Sequence, residues 1–266
     1  MSESNLPDVY GEADLYCAAF DEPVEQEVQW VIGECERLLG RSPNAVLEPM
    51  CGNARYGKAF ADRGVRYHGV DASEEMLKRA TLHDDVTTSR GDVRKFDVPR
   101  GPYDIAWCPI NSIRHLPTPS DLVQHLQCVR RHVSDDGLYL VETDLQDQDG
   151  SLEDVPEYHW SMPQPDGSTV LAWWGAERAD LATRRVWEYG RFERHVDGEC
   201  VNRSESRYEM LMTRAEDWTE LAAAGGFTVE QVVRRDAGGA RSVVELSPDL
   251  ENIDERILLF LRVSGA

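Results

Sequence analysis

Lysine is scarce in this 266-residue chain, occurring only as Lys58, Lys78 and Lys95, and Asp and Glu outnumber Lys and Arg by 49 to 28. The formal net charge of −21 excludes the basic footprint that a nucleic-acid backbone or an anionic membrane surface requires. No apolar run is long enough to span a bilayer. Also missing is any C-x-x-C pair: Cys17, Cys35, Cys51, Cys108, Cys128 and Cys200 are scattered, as expected of reduced thiols in a protein without a zinc site. Met1 to Asp14 is polar and acidic, unlike a secretory signal. The expected location is therefore cytoplasmic. The acidic excess fits a solubilising surface and would also mildly attract a cationic substrate.

The dinucleotide fingerprint G-x-G-x-x-G is absent as well, yet its context is present. Residues 44–71 read as strand, Gly-containing turn, helix and second strand. Ala45-Val46-Leu47 is a short buried-strand run. Glu48-Pro49-Met50-Cys51-Gly52-Asn53-Ala54-Arg55 holds the turn, and Tyr67 to Val70 is the next strand, closed by Asp71. In an open parallel sheet, an acid about 20 residues past a Gly turn is placed to grip a ribose hydroxyl. Glu48, at the end of the first strand, opposes a pyrophosphate but suits a cationic ligand carrying a sulfonium and an amino group.

The segment resembles motif I of class I S-adenosylmethionine (SAM) methyltransferases, acid-x-Gly-x-Gly-x-Gly. Glu48 matches the acid and Gly52 the central glycine, while Met50 and Ala54 stand where the outer glycines are. Gly69 to Leu77 resembles the second-strand acid and its following helix, with Ser73 as N-cap and Glu74 and Glu75 in the first turn. Gly91-Asp92-Val93-Arg94 resembles the segment that reads the adenine amino group; residues 103–108 and 137–142 resemble strands four and five. The resemblance implies an α/β, Rossmann-like fold with a mostly parallel seven-stranded sheet and helices on both faces. It also implies SAM as cofactor, with S-adenosylhomocysteine (SAH) as product, held by Glu48, Met50, Gly52, Asn53, Asp71, Ala72, Met76, Asp92, Val93, Pro109 and Ile110.

Elsewhere the pattern sets the organisation. A flexible start and a lid-like segment occupy residues 1–23. A helix is expected over 24–39, ended by Gly40. Thr118-Pro119-Ser120-Asp121 starts another, whose buried face is Leu122, His125, Leu126 and Val129. Residues 144–158 read as a loop. Residues 169–174, 184–195 and 201–212 alternate as strands, with turns at Pro165-Asp166-Gly167 and Val196-Asp197-Gly198-Glu199. Thr213-Arg214-Ala215-Glu216 has the form of a capping box and Gly225-Gly226 ends that helix. Residues 227–233 and 257–263 are the closing strand pair. The expected division is a cofactor domain of 1–143 and 213–266, with a small antiparallel β insert of 144–212. Such an insert resembles the subset that includes aminosugar N,N-dimethyltransferases, where it borders the substrate site and can contribute to dimerisation; a homodimer is therefore among the expected partners, beside a small-molecule acceptor.

Methyl transfer from a sulfonium needs alignment and desolvation more than covalent help, but the acceptor must lose a proton. After the fourth strand lies Pro109-Ile110-Asn111-Ser112-Ile113-Arg114-His115. The resemblance makes His115 an active-site histidine, and its proton chemistry near neutrality suits a base; it also suits packing of the following helix. Leu15-Tyr16 resembles a lid segment that sets a phenol near the donor, with Tyr10 as the weaker alternative. Arg114 reads as solvated, or as a ligand for a substrate carboxylate or phosphate. The aromatic residues Tyr158, Trp160, Trp173, Trp174, Trp187 and Tyr189 read mainly as packing of the insert. The other histidines, His83 among them, show no ligand spacing, and no metal is expected. Two further readings stay open: a nicotinamide-dependent oxidoreductase, which Glu48 and the broken glycine pattern oppose, and a SAM-binding protein without catalysis, which Met50 keeps open.

Overall fold

The computed structural model describes residues 10, 12–80, 84–99, 101–145, 157–236, 238–247, 250 and 256–264. Residues 1–9, within the stretch expected to hold a flexible start, lie outside the described residues, as do most of the loop expected at 144–158 and His83. Helices α1 (Ala13–Ala19) and α2 (Glu25–Leu39) lead into β1 (Ala45–Pro49). Then come α3 (Gly57–Ala61), β2 (Arg66–Asp71), α4 (Glu74–Leu77), β3 (Val86–Arg90), β4 (Tyr103–Cys108), α5 (Pro119–Arg130) and β5 (Val133–Thr143). Strands β6 (Tyr158–Pro163), β7 (Thr169–Asp180), β8 (Arg185–Val196) and β9 (Glu199–Leu211) follow, then α6 (Asp217–Gly225), β10 (Phe227–Arg235), β11 (Arg241–Val244) and β12 (Arg256–Val263).

Local chemistry sets the helix ends. Gly40 takes φ +70 and closes α2, whose Val28, Val31 and Cys35 are buried one turn apart. Ser73 accepts from the Met76 amide to cap α4, and Thr118 accepts from Asp121 to cap α5 with Pro119 at its first position. The expected capping box at 213–216 does not form. Helix α6 begins at Asp217, because the Thr213 hydroxyl accepts from the Trp218 indole at 3.1 Å and the Asp217 carboxylate accepts from the Arg214 amide at 2.8 Å.

The main sheet runs β11-β10-β12-β5-β4-β1-β2-β3. It has eight strands rather than seven, the extra one being β11, a four-residue edge strand antiparallel to β10. Strands β1 to β5 pair in parallel, and β12 runs antiparallel to β5 and β10. One face is covered by α5 and α6 through Leu122, Leu126, Trp218 and Ala222. The other is covered by α2 and α3 through Val28, Val31, Cys35 and Phe60. The chain travels from β1 outward to β2 and β3, then returns to place β4 on the other side of β1. That reversal opens a crevice at the carboxyl ends of β1 and β4, the place where open α/β sheets bind ligands. No helix of the described residues is long and apolar enough to cross a membrane.

The insert forms its own antiparallel sheet, β6-β7-β8-β9. It is larger than its pattern predicts: a strand begins at Tyr158, and β7 runs on past Trp174 to Asp180. Its inner face packs on α1, with Val170, Ala172 and Phe192 against Leu15, Ala18 and Ala19. On the outer face Trp173 and Trp187 lie under the guanidinium groups of Arg191 and Arg178, a use distinct from core packing.

Arg114 joins the two sheets, which corrects its reading as a solvated side chain. It is 3% exposed. Its guanidinium donates to Asp144 at 2.9 Å, to Glu188 of β8 at 2.7 Å and to the Leu211 carbonyl at 3.3 Å. Glu188 also accepts from the Trp174 indole at 2.8 Å. Removing one partner of a buried ion pair strands the other charge. Arg114→Ala is therefore expected to cost about 3–5 kcal/mol by chemical denaturation, and Arg114→Met with Glu188→Leu to cost clearly less. Equal losses in the two variants would contradict this account of the join.

Candidate functional site

The turn after β1 is fastened to β2. Register pairs Pro49 with Val70; beyond it the Cys51 amide donates to the Val70 carbonyl at 3.1 Å. The Gly52 amide then donates to the Asp71 carboxylate at 2.7 Å, whose other oxygen accepts from Ser73 at 2.8 Å. The fold-back leaves no room for a side chain at Gly69, where a Cβ would stand 2.5 Å from the Cys51 sulfur.

The turn keeps a glycine-type backbone without its outer glycines. Met50, Gly52 and Ala54 take φ of 61°, 54° and 54°. The exit of β4 repeats the device, with Ile110 at φ 55° and Asn111 at 57°. Six non-glycine residues among those described have positive φ. Four of them bracket one cleft; the other two, Arg184 and Asp197, lie in hairpin turns. Left-handed backbone costs a non-glycine residue about 1–2 kcal/mol, and such strain concentrates at functional sites.

That cleft encloses about 360 Å³, part of it open to solvent. Its walls bring together the expected residues Tyr16, Glu48, Met50, Gly52, Asn53, Met76, Pro109 and Ile110. Asp71 and Ala72 are not among the lining residues, although Asp71 is tied to one of them by the Gly52 bond. Cys51, Arg55, Tyr56, Phe20 and Ser112 also line the cleft, and the pattern does not single them out. Asp92 and Val93 are not among the lining residues. The Arg94 fork binds the Asp92 carboxylate at 2.8 and 2.9 Å and holds it down to about 2. The Val93 carbonyl is shared with buried His125.

Glu48 is 2% exposed and accepts from the Tyr67 hydroxyl at 2.8 Å. Burial pushes its carboxyl up to about 8, although the Tyr67 bond and the Arg55 charge pull the other way. It is therefore largely protonated at neutral pH until a cation joins it. Burial likewise raises the Tyr16 phenol to about 12, so it acts as a neutral donor. Burial raises Asp71 too, against the bonds from Ser73 and Gly52.

Helix α1 occupies the segment expected to be a lid. Its last carbonyls are each taken by an outside side chain: Ala18 by Gln164 at 3.1 Å, Ala19 by the Trp160 indole at 2.7 Å, Phe20 by Arg55 at 2.8 Å. Asp14 pairs with Arg79 at 2.7 Å. His115 sits on a single 3-10 turn, Ser112–His115, outside the cleft lining and under the start of the lid. Its Nε2 shares a hydrogen bond of 3.0 Å with the Tyr10 hydroxyl. The Tyr208 ring meets it edge-on at 5.4 Å and is itself stacked on Trp174 at 5.5 Å. Tyr10 lies 5.2 Å from Tyr16, so both tyrosines belong to one aromatic wall between lid and insert.

A separate trio, Glu193, His195 and Cys200, gathers on the β8–β9 hairpin. Arg203 and Arg191 already approach that carboxylate at 3.3 and 3.7 Å, and both oppose a cation there.

Residues 46–137 match the family described as "Methyltransferase domain". A ubiquinone biosynthesis O-methyltransferase of Nitrosomonas europaea is 32% identical over 102 residues, 36% of this chain. The chain thus spans 42% of that relative's own length. Among solved structures, a SAM-dependent methyltransferase of Clostridium acetobutylicum matches with TM-score 0.71 and 17% identity, covering 96% of this chain and 98% of that one. The sugar N-methyltransferase KedS8 of a Streptoalloteichus species matches with TM-score 0.72 and 18% identity, covering 100% and 96%. These likenesses establish the class I methyltransferase fold.

The strain in the turn is open to test. Ala54→Gly relieves a left-handed backbone and is expected to raise stability by about 0.5–1 kcal/mol. Ala223→Gly, at an exposed position of α6, is expected to lower it by about 1 kcal/mol. Thermal or denaturant unfolding of the pair decides: losses of the same size at both positions would mean that the Ala54 conformation is unstrained.

Proposed function

We propose that this chain, whose residues 46–137 match the methyltransferase domain family, is a SAM-dependent methyltransferase acting on N or O of a small molecule. The observation that carries the reading is the convergence of a buried acid, a strained turn and a β2-end carboxylate on the cleft at the β1/β4 switch point. The residues present fit the donor. Buried Glu48 gains a counter-charge from an ammonium group, and the Asp71 carboxylate, which accepts backbone amides of Gly52 and Ser73, has acceptor capacity left for a ribose hydroxyl. Met50, Gly52, Asn53 and Ala72 would supply the walls and backbone donors around these anchors. Met76, Pro109 and Ile110 would pack on the apolar surface, and Asp92 and Val93 belong to the loop on the adenine side.

When bound, the sulfonium supplies an activated methyl group, transferred by in-line displacement. The chain's own part is to hold, align and dry the reactants. Tyr16 and Phe20 close the cleft from the lid, and the Tyr16 phenol stays a neutral donor. His115 is the proposed base: its ring nitrogen, bonded to Tyr10, receives the acceptor's proton directly or through that hydroxyl. The insert, residues 144–212, borders the acceptor side. The sugar N-methyltransferase title of KedS8 supports an amine on a sugar-like molecule as the acceptor class to test first.

Asp71→Ala is expected to weaken SAH binding roughly 100-fold or more. His115→Ala should leave SAH affinity within about threefold while slowing turnover roughly 100- to 10,000-fold. Wild-type affinity in the first variant, or undiminished turnover in the second, would remove that residue from its role. The pH dependence has a definite sign. Glu48 is protonated below about 8 in the free protein and binds an ammonium ligand as the carboxylate. Affinity for SAH therefore rises from pH 6 to 8, by at most about tenfold per unit, with proton release visible as a buffer-dependent enthalpy. In Glu48→Gln the release disappears; its persistence would assign the proton elsewhere.

A further inference from the structure

The backbone of His115 is fixed from one side and its ring from another. Arg114, the preceding residue on the same 3-10 turn, makes buried bonds to Asp144, Glu188 and the Leu211 carbonyl. The Tyr208 ring stands at 89° to the imidazole, 5.4 Å away. Tyr208 is stacked on Trp174, and Trp174 in turn lies over Gly190, where a Cβ would come within 2.7 Å of the indole. The imidazole is thus held by the join between the two sheets, and its Nε2 has a fixed direction.

Along that direction stands Tyr10, whose hydroxyl shares a 3.0 Å hydrogen bond with Nε2. Its ring lies in a slot made by three others: His115 at 5.7 Å, Tyr16 at 5.2 Å and Tyr208 at 5.3 Å. Tyr10 precedes α1 by three positions, and the far end of that helix is fastened to Trp160, Gln164 and Arg55. Those fastenings do not involve Tyr10, so it can leave the slot while the helix stays in place. An acceptor that passes its proton straight to Nε2 must come within about 2.6–3.2 Å of it. The Tyr10 hydroxyl already holds that position, and two such groups cannot share it.

We propose that Tyr10 is a place-holder gate on the acceptor side: its phenol occupies the acceptor's position on His115, and the acceptor enters by displacing it. This rests on the reading of His115 as the base and selects the direct proton route of the two given above. It also limits the acceptor. The displaced group is a six-membered ring with a hydrogen-bonding atom attached directly to it. The vacated slot therefore suits a nucleophilic N or O borne on a six-membered ring, as in a pyranose amine. An acyclic amine would leave the aromatic faces of the slot uncovered.

The test is carbethoxylation of the full chain by diethyl pyrocarbonate, which attacks the unprotonated imidazole nitrogen, followed at each histidine by peptide mass spectrometry. Tyr10→Phe keeps the ring and removes the hydroxyl. The rate at His115 is expected to rise about 3- to 10-fold in this variant, the worth of one hydrogen bond. Exposed His159 serves as the reference rate, and buried His125 should stay unlabelled while the fold is intact. Equal rates at His115 in the two proteins would overturn the gate. Methyl transfer to a sugar amine gives the second reading, in which kcat/KM should rise by a similar factor in Tyr10→Phe. A fall of roughly 100-fold or more would overturn the gate, because Tyr10 would then be an obligatory proton carrier, and would leave His115 as the base. Undiminished transfer in His115→Ala would overturn the base and the gate together.

Discussion

The hydrogen bond from the Gly52 amide to the Asp71 carboxylate, 2.7 Å long, fixes the position of everything else at the cleft. It ties the turn that leaves β1 to the end of β2, and the Cys51 amide on Val70 reinforces the same seam. Only with this seam closed can Met50 and Ala54 be kept in left-handed backbone, since nothing in their side chains favours it. The seam in turn requires a bare backbone at Gly69, where the Cys51 sulfur occupies the space of a side chain. Glu48 and Arg55, on either side of the turn, then both line the cleft. The site is a consequence of two strand ends locked together, with the strain offset by amide bonds on either side.

The second sheet serves this arrangement at a distance. Arg114 emerges three residues after Asn111, in a segment whose backbone is itself strained, and its buried fork holds Glu188 of β8. Glu188 holds the Trp174 indole, Trp174 stacks on Tyr208, and Tyr208 packs on His115. The insert also holds two of the three carbonyls that end the lid. Lid, histidine and insert are therefore positioned by one connected set of contacts, and the third lid carbonyl belongs to Arg55 in the cleft itself.

Much of this was legible in the sequence wherever the cause is local. The alternation of strands and helices, the αL glycines at Gly40 and Gly226, and the caps at Ser73 and Thr118 depend on neighbouring residues alone, and each forms as read. The acid-turn-acid spacing of Glu48, Gly52 and Asp71 carried the cleft. What escaped depends on partners far along the chain. Arg114 looks solvated until Asp144 and Glu188, 30 and 74 residues away, are brought to it. Thr213 looks like a cap until Trp218 takes its hydroxyl. Strand β11 is too short to announce itself by period. Asp92 is an acid at the expected place, and its contact with Arg94 lies only two residues on.

The central claim is that the cleft at the β1/β4 switch point takes a sulfonium-type adenosine cofactor and not a dinucleotide. Parallel calorimetric titration of the purified chain with SAH and with NAD tests it most directly. The account predicts micromolar binding of SAH and no measurable binding of NAD, because Glu48 sits where a pyrophosphate would have to approach. Binding of NAD without SAH would contradict it.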